Sequence, residues 1–248
     1  MNNQKYKRIF ISTAGTIAVW EIISRFGIVD DFFISSPGKV WSEGMGLVSS
    51  GVLWPHLLIS LETLFAGIFL AILVGVSLGI LIGSSETVRD YLHPHVSILN
   101  SLPKVAVIPL IIIWFGVGLP SKISIVFLMA LVPILMNTID GAKNTDKNLL
   151  KMARSFDAGR IFTVWSVTFF SSLPFVFSGL RIASGRAVVG LIIAEIFGYG
   201  KGLGYLVSFY GINFQTAKLL FIVIILIFIN VFLLKIVKIS EKNLITWR

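Results

Sequence analysis

Three ionisable side chains stand within an otherwise apolar run at 173–197: Arg181, Arg186 and Glu195. An arginine at the centre of a bilayer costs about 2.5 kcal/mol or more, so it must face protein or water. If the helix starts near Pro174, a rise of about 1.5 Å per residue puts Arg186 roughly 18 Å along it, near mid-membrane. Two chemistries fit that position. Arg186 pairs inside the protein, with a partner such as Glu195 or backbone carbonyls, or it creates a positive potential in a pathway for an anion. Arg181 and Glu195 share a helix face but lie about 21 Å apart along it, too far to pair within that helix. These three residues, with Trp114 in the run at 96–116, are the candidate lining of a translocation pathway.

Catalytic chemistry finds no support. No nucleophile, base and orienting residue are set out together. There are no cysteines, which removes disulfides, thiolate catalysis and Cys-ligated metals. His56, His93 and His95 lack a carboxylate cluster to complete a metal site. No G-x-x-x-x-G-K-[ST] run is present, so the chain cannot cradle ATP by a P-loop. The Gly-rich string GYGKGLG at 198–204 does not open a helix after a strand and reads as a flexible outer loop. Any ATP-driven work requires a separate ATPase chain.

The elements that carry these residues follow from composition. The chain is 56% hydrophobic and 13% charged, where a soluble domain carries about 25% charge. Its mean hydropathy is +0.91. Apolar runs fall at about 9–28, 57–83, 96–116, 122–139, 173–197 and 218–238, and a span takes about 20 residues. In lipid, separate segments can cross only as helices, because each must pair its own backbone groups. The expectation is an all-α membrane protein of about six transmembrane helices, forming a single domain over 1–248. The first run contains Glu21 and Arg25 and lacks a small-residue cleavage site, so it reads as a retained span rather than a signal peptide.

Charge sets the orientation. Lys5, Lys7, Arg8, Arg89, Lys104, Lys143, Lys147, Lys151, Arg154, Arg160, Lys235, Lys238, Lys242 and Arg248 fall on one side of such a topology. Arg25, Lys39, Lys122, Lys201 and Lys218 fall on the other. The positive-inside rule therefore puts both termini in the cytoplasm. The net charge of +9 is accounted for by these flanks. No basic, aromatic-interleaved patch suggests nucleic acid. The external segment 30–56 carries Ser36-Pro37-Gly38, then Val40, Trp41, Met45 and Leu47, and reads as a short amphipathic helix at the outer surface.

Small residues recur at helix spacing in two runs. Gly67, Ala71, Gly75, Gly79 and Gly83 mark one; Gly179, Ala183, Ala187, Gly190 and Ala194 mark the other. Between membrane helices, close backbone approach over such residues supplies the packing. Pro94, Pro103, Pro109 and Pro133 are expected to break or kink the third and fourth spans.

One internal loop differs from the rest. Residues 140–160 read DGAKNTDKNLLKMARSFDAGR. Asn144, Thr145 and Asp146 are good caps and Gly159 a good stop. Leu149, Leu150, Ala153 and Phe156 make an apolar face; Lys147, Lys151, Arg154 and Asp157 make the rest. This is an amphipathic helix too short to span. It lies on the membrane or in solvent, or docks into a partner's groove.

LLKMARSFDAGR (149–160), LP (173–174), GLRIASGRAVVGLIIAEIFG (179–198), GLGYL (202–206), PKVAVIPLIIIWFGVG (103–118) and SSPGKVW (35–41) together resemble the permease subunits of ABC importers. The likeness is to the nitrate, sulfonate, taurine and thiamine-precursor group, and extends over most of 20–210. It implies the type I importer architecture. The loop helix would be the coupling helix, seating Leu149, Leu150, Lys151, Met152, Ala153, Arg154, Ser155, Phe156 and Asp157 against a cytoplasmic ATPase. Here Lys151 stands where the family usually has Glu, Met152 where it has Ala, and Asp157 where it has Gly; Ala153 keeps the pattern. The resemblance further implies a homodimer in the inner membrane, two ATPase subunits that hold ATP and Mg, and an external binding protein, periplasmic or lipid-anchored. The cargo would be a small solute, a sulfonate-, nitrate- or taurine-like anion or a thiamine-precursor pyrimidine. The rival is an ion-gradient-driven secondary transporter, which needs carboxylates at mid-membrane. Only Glu195 is a candidate, and it lies toward the outer end.

Overall fold

The computed structural model describes residues 3–26, 33–198 and 200–246. Of the charges used for orientation, the side chains of Lys5, Arg25 and Arg248 lie outside the described residues, as does the end of the first expected span at 27–28. No strand occurs among the described residues. In chain order the helices are α1 (Asn3–Arg25), α2 (Pro37–Ser49), α3 (Leu53–Gly83), α4 (Glu86–Ser101), α5 (Ile108–Phe115), α6 (Leu119–Lys143), α7 (Lys147–Ser155), α8 (Arg160–Thr163), α9 (Phe169–Phe197), α10 (Leu203–Ile212) and α11 (Thr216–Leu244). A 3-10 turn, Lys104–Val107, precedes α5, and a π-helical turn, Val164–Thr168, joins α8 to α9.

By length and composition four helices cross a membrane: α3, α6, the continuous stretch Arg160–Phe197, and α11. The pair α4 and Lys104–Phe115, bent by 88°, meets the same test when its two halves are taken together, as a broken span or a re-entrant loop. In α1 the apolar part, Ile11–Ser24, is shorter than a standard span. The third expected span, 96–116, is therefore not one straight helix but the end of α4, a 3-10 turn and α5. Its break falls at Pro103, which supplies no amide donor and holds the preceding residue extended. Pro94 and Pro133 lie inside α4 and α6, and Pro109 sits in the first turn of α5, where a missing donor costs nothing.

The chain forms two compact units, residues 1–59 with 200–227 and residues 60–199 with 228–248. In the first, Ser36 caps α2 by accepting the Lys39 amide (3.3 Å). Val40, Gly44 and Leu47 are buried, with Phe221 of α11 lying over Gly44, while Trp41 and Met45 stay exposed. The amphipathic reading of this segment thus resolves into a protein-facing and an outward edge. Of the GYGKGLG string, Gly198 and Gly200–Gly202 are non-helical, with φ of +94° at Gly200 and +129° at Gly202, Tyr199 lies outside the described residues, and α10 begins at Leu203, so only the last two positions of the expected loop are helix. The Gly202 amide donates to Nδ1 of His56 (3.0 Å), whose ring stacks on Tyr205.

The second unit is organised about α6. Of its most apolar window 61% is buried, against 17% for α11. One face of α6 takes the glycine stripe of α3. A Cβ at Gly67 would lie 2.6 Å from Val126, one at Gly79 2.5 Å from Thr138, and one at Gly83 2.6 Å from Ala142. Its other face takes the stripe of α9: a Cβ at Gly179 would lie 2.9 Å from the Pro133 carbonyl, and one at Gly190 2.8 Å from Met129. The small-residue spacing is thus the shape of two helix–helix seams. Gly79→Leu is expected to force α3 off α6, lowering stability by about 1–3 kcal/mol, the usual cost of overpacking. A thermal melt of the purified chain in detergent checks this; an unchanged melting temperature contradicts the seam.

Candidate functional site

The loop helix α7 is built from its own ends. Asp146 Oδ1 accepts the Asn148 amide (2.8 Å) at the start, and Thr145 Oγ1 donates to the Ala142 carbonyl (2.9 Å), ending α6. At the other end the Ala158 amide donates to the Ala153 carbonyl (3.0 Å) and the Asp157 amide to the Arg154 carbonyl (3.0 Å). That pair of bonds needs a left-handed residue between helix and exit, a position glycine usually fills. Asp157 takes it, at φ +52°. The departure from the family's Gly therefore falls on a residue held in a costlier conformation, one that short polar side chains tolerate. The stop comes earlier than expected: α7 ends at Ser155, and Gly159 instead precedes α8.

The apolar face of α7 divides. Ala153 is buried and Leu150 half-buried against the chain itself. Leu149, Met152 and Phe156 are exposed, Phe156 at 81%. Ala153, expected at the docking surface, thus faces inward, and Met152 belongs to the outward apolar edge. Lys151, Arg154, Ser155 and Asp157 are exposed around it.

The charged residues of α9 separate into three environments. Arg181 forms an ion pair with Glu241 of α11, a partner sixty positions away. Arg186 is exposed on the protomer and makes no ion pair or hydrogen bond among the described residues. Lys104, in the turn before α5, lies within electrostatic reach of it. Glu195 is fully buried, and Ser60 Oγ of α3 donates to its Oε1 (2.6 Å). Lys122 of α6, only 4% exposed, lies within electrostatic reach of Glu195. A Cβ at Gly198 would fall 2.7 Å from Lys122 Cε, so the lysine lies across the last turn of α9. Arg186 does not claim Glu195; α3 and α6 supply the partners instead. Lys122, read from sequence as an external loop charge, is an interior residue, and Ser60 gave no sequence signal. Trp114, at the end of α5, is 65% exposed, beside exposed Ile113 and Phe115. Among the described residues no three His, Asp or Glu side chains gather as a metal site.

Glycine-seamed apolar helices, a sharply bent helix pair and an exposed amphipathic loop helix are features found in transport permeases. Residues 67–246 match the family described as binding-protein-dependent transport system inner membrane component, and the chain belongs to that family. It is 32% identical to the putative aliphatic sulfonates transport permease protein SsuC of Bacillus subtilis (strain 168), covering 94% of this chain and 84% of that one. It is 30% identical to the taurine transport system permease protein TauC of Escherichia coli (strain K12), covering 94% and 88%. Among solved structures it resembles a chain of the inward-facing MetNI methionine ABC transporter, with a TM-score of 0.67 at 18% identity, over 77% of this chain and 95% of that one. The chain is a multi-pass ABC importer permease with the type I fold.

Proposed function

We propose that this chain forms the translocation pathway of an ATP-driven importer for a small organic anion of the sulfonate class, in the cytoplasmic membrane. It works as a homodimer with two copies of a separate ATPase, which bind ATP and Mg, and with an external binding protein that delivers the solute. α7 is the coupling element, through Leu149, Met152 and Phe156, with Lys151, Arg154, Ser155 and Asp157 around them; Leu150 and Ala153 hold the helix to the membrane unit. Glu195 and Arg181 are structural, each occupied by a partner. The observation that carries the anion assignment is Arg186. An exposed guanidinium on a spanning helix, with no partner in its own protomer among the described residues, must meet water, solute or a second subunit, and Lys104 adds to the positive field. The names of SsuC and TauC support a cargo that carries a sulfonate group.

The test is uptake into proteoliposomes holding the permease, its ATPase and its binding protein, with ion gradients collapsed. ATP-dependent uptake of a sulfonate is expected, and Arg186→Gln is expected to reduce it at least tenfold. Uptake that follows an ion gradient and ignores ATP defeats the importer reading. Unchanged uptake by Arg186→Gln returns Arg186 to a structural role.

A further inference from the structure

Two cavities adjoin, with four lining residues in common, where α3 gives way to α4 and the loop returns through α8. One, of about 770 Å³, is lined by Arg89, Lys143, Lys147, Arg154 and Arg160, with Glu86 as its only carboxylate. The other, of about 540 Å³, is walled by Leu78, Ile80 and Leu81 of α3 and by Ile161, Val164 and Trp165. Ser84, Ser85, Arg160 and Val164 border both. The combined space is therefore basic at one end and apolar at the other.

Its charge is not balanced from within. Glu86 approaches Arg89 (3.9 Å), which also donates to the Gly83 carbonyl (3.3 Å). Among the described residues, no carboxylate lies within 4 Å of Lys143, Lys147, Arg154 or Arg160. Like charges gathered in one cleft focus a positive field and concentrate anions there. The apolar wall is open: Leu81 is 55%, Ile161 77% and Trp165 55% exposed. Tryptophan is the side chain most at home at a membrane–water boundary. The backbone between the two ends is irregular, since the π-helical turn starts at Val164, a residue common to both cavities. Such turns occur frequently at functional sites.

We propose that the joined cavities bind an anionic phospholipid of the cytoplasmic leaflet. Its phosphate sits among Lys143, Lys147, Arg154 and Arg160, and an acyl chain lies along Leu81 and Trp165. Charge complementarity selects an anion, and the continuous apolar wall selects an amphiphile. A soluble phosphate would leave that wall unused. An acidic protein surface would meet the cations but leave the exposed apolar side chains unmatched. Basic pockets between membrane helices at this leaflet suit lipid head groups. Lys147 and Arg154 belong to α7, Lys143 ends α6 and Arg160 starts α8, so a bound head group would hold the loop helix between those two ends and link lipid composition to coupling.

The test is quenching of Trp165 fluorescence in the purified full-length chain by brominated phosphatidylglycerol and brominated phosphatidylcholine. Subtracting the Trp165→Phe signal isolates Trp165. Phosphatidylglycerol is expected to quench with at least tenfold higher apparent affinity. Arg154→Gln with Arg160→Gln should weaken it by about fivefold per cation removed. Lys143→Gln with Lys147→Gln should do the same, so that the loss follows the charge removed and not one particular pair of side chains. Equal quenching by the two lipids, or a preference that survives both double variants, overturns the proposal. Full displacement by millimolar inorganic phosphate overturns it in favour of a soluble anion. Loss of ATPase association with lipid preference intact overturns it in favour of a protein interface.

Discussion

Phe156→Ala is expected to abolish ATP-driven uptake while leaving the membrane helices folded. Phe156 is 81% exposed at the end of a nine-residue helix. Nothing in its own chain covers the ring, so the folded protomer loses little when it is removed. Seating a phenyl ring in a partner's groove is worth about 1.5–3 kcal/mol in transfer free energy. Truncating a central aromatic anchor costs about 2–4 kcal/mol of binding. The association of permease and ATPase should therefore weaken by about thirty- to a thousandfold, since about 1.4 kcal/mol is a factor of ten. Co-purification and reconstituted uptake measure the loss, and a thermal melt of the permease alone should not move. Retained uptake removes α7 from the coupling role. Ala153→Asp should also stop transport, by a different route. Ala153 is buried against its own chain, so the carboxylate would displace α7 from within, and the permease alone should show altered protease sensitivity at the loop. The two substitutions thus distinguish a lost contact from a lost scaffold.

That distinction marks where the sequence was legible. Local signals carried far. The low charge density announced a membrane protein, the four-residue glycine spacing marked the α3–α6 and α9–α6 seams, and Asp146 capped the loop helix where expected. These are properties of one segment and its solvent. What was not legible depends on a second segment. The orientation of α7 about its own axis is set by what it packs on, so Leu149 and Ala153, alike in hydropathy, end on different sides. Arg181 finds Glu241 sixty positions on, and no helical period connects them. Pro103 announced a break, but its 88° angle reflects the packing of Ile108 and Ile111 against Ile125 and Ala194. Pro174, a plausible start for the fifth span, lies inside a helix that already runs from Arg160. Lys122 follows a Gly-Leu-Pro-Ser turn and so reads as a loop charge. Only the seam of α6 with α9 shows that it is buried against the last turn of α9, within electrostatic reach of Glu195.

Glu195→Ala is therefore expected to be the most destabilising single change in the membrane unit. Glu195 is fully buried, Lys122 is 4% exposed, and Ser60 donates to the carboxylate at 2.6 Å. Removing the carboxylate leaves Lys122 buried without the negative charge within its electrostatic reach, and an uncompensated buried charge costs about 3–5 kcal/mol. The melting temperature in detergent should fall sharply, with loss of monodisperse protein. Replacing both charges with apolar residues of similar volume, Glu195→Leu with Lys122→Met, should recover most of the loss, because a well-packed apolar pair is often as stable as a buried ionic one. A double variant as unstable as the sum of its single changes would show that the two side chains do not compensate one another. The same protein separates two transport mechanisms. If Glu195 carried a proton or sodium ion, the double variant would fold and fail to transport. If it only ties α9 to α3 and α6, the double variant folds and still imports its solute with ATP, and that is the expected result.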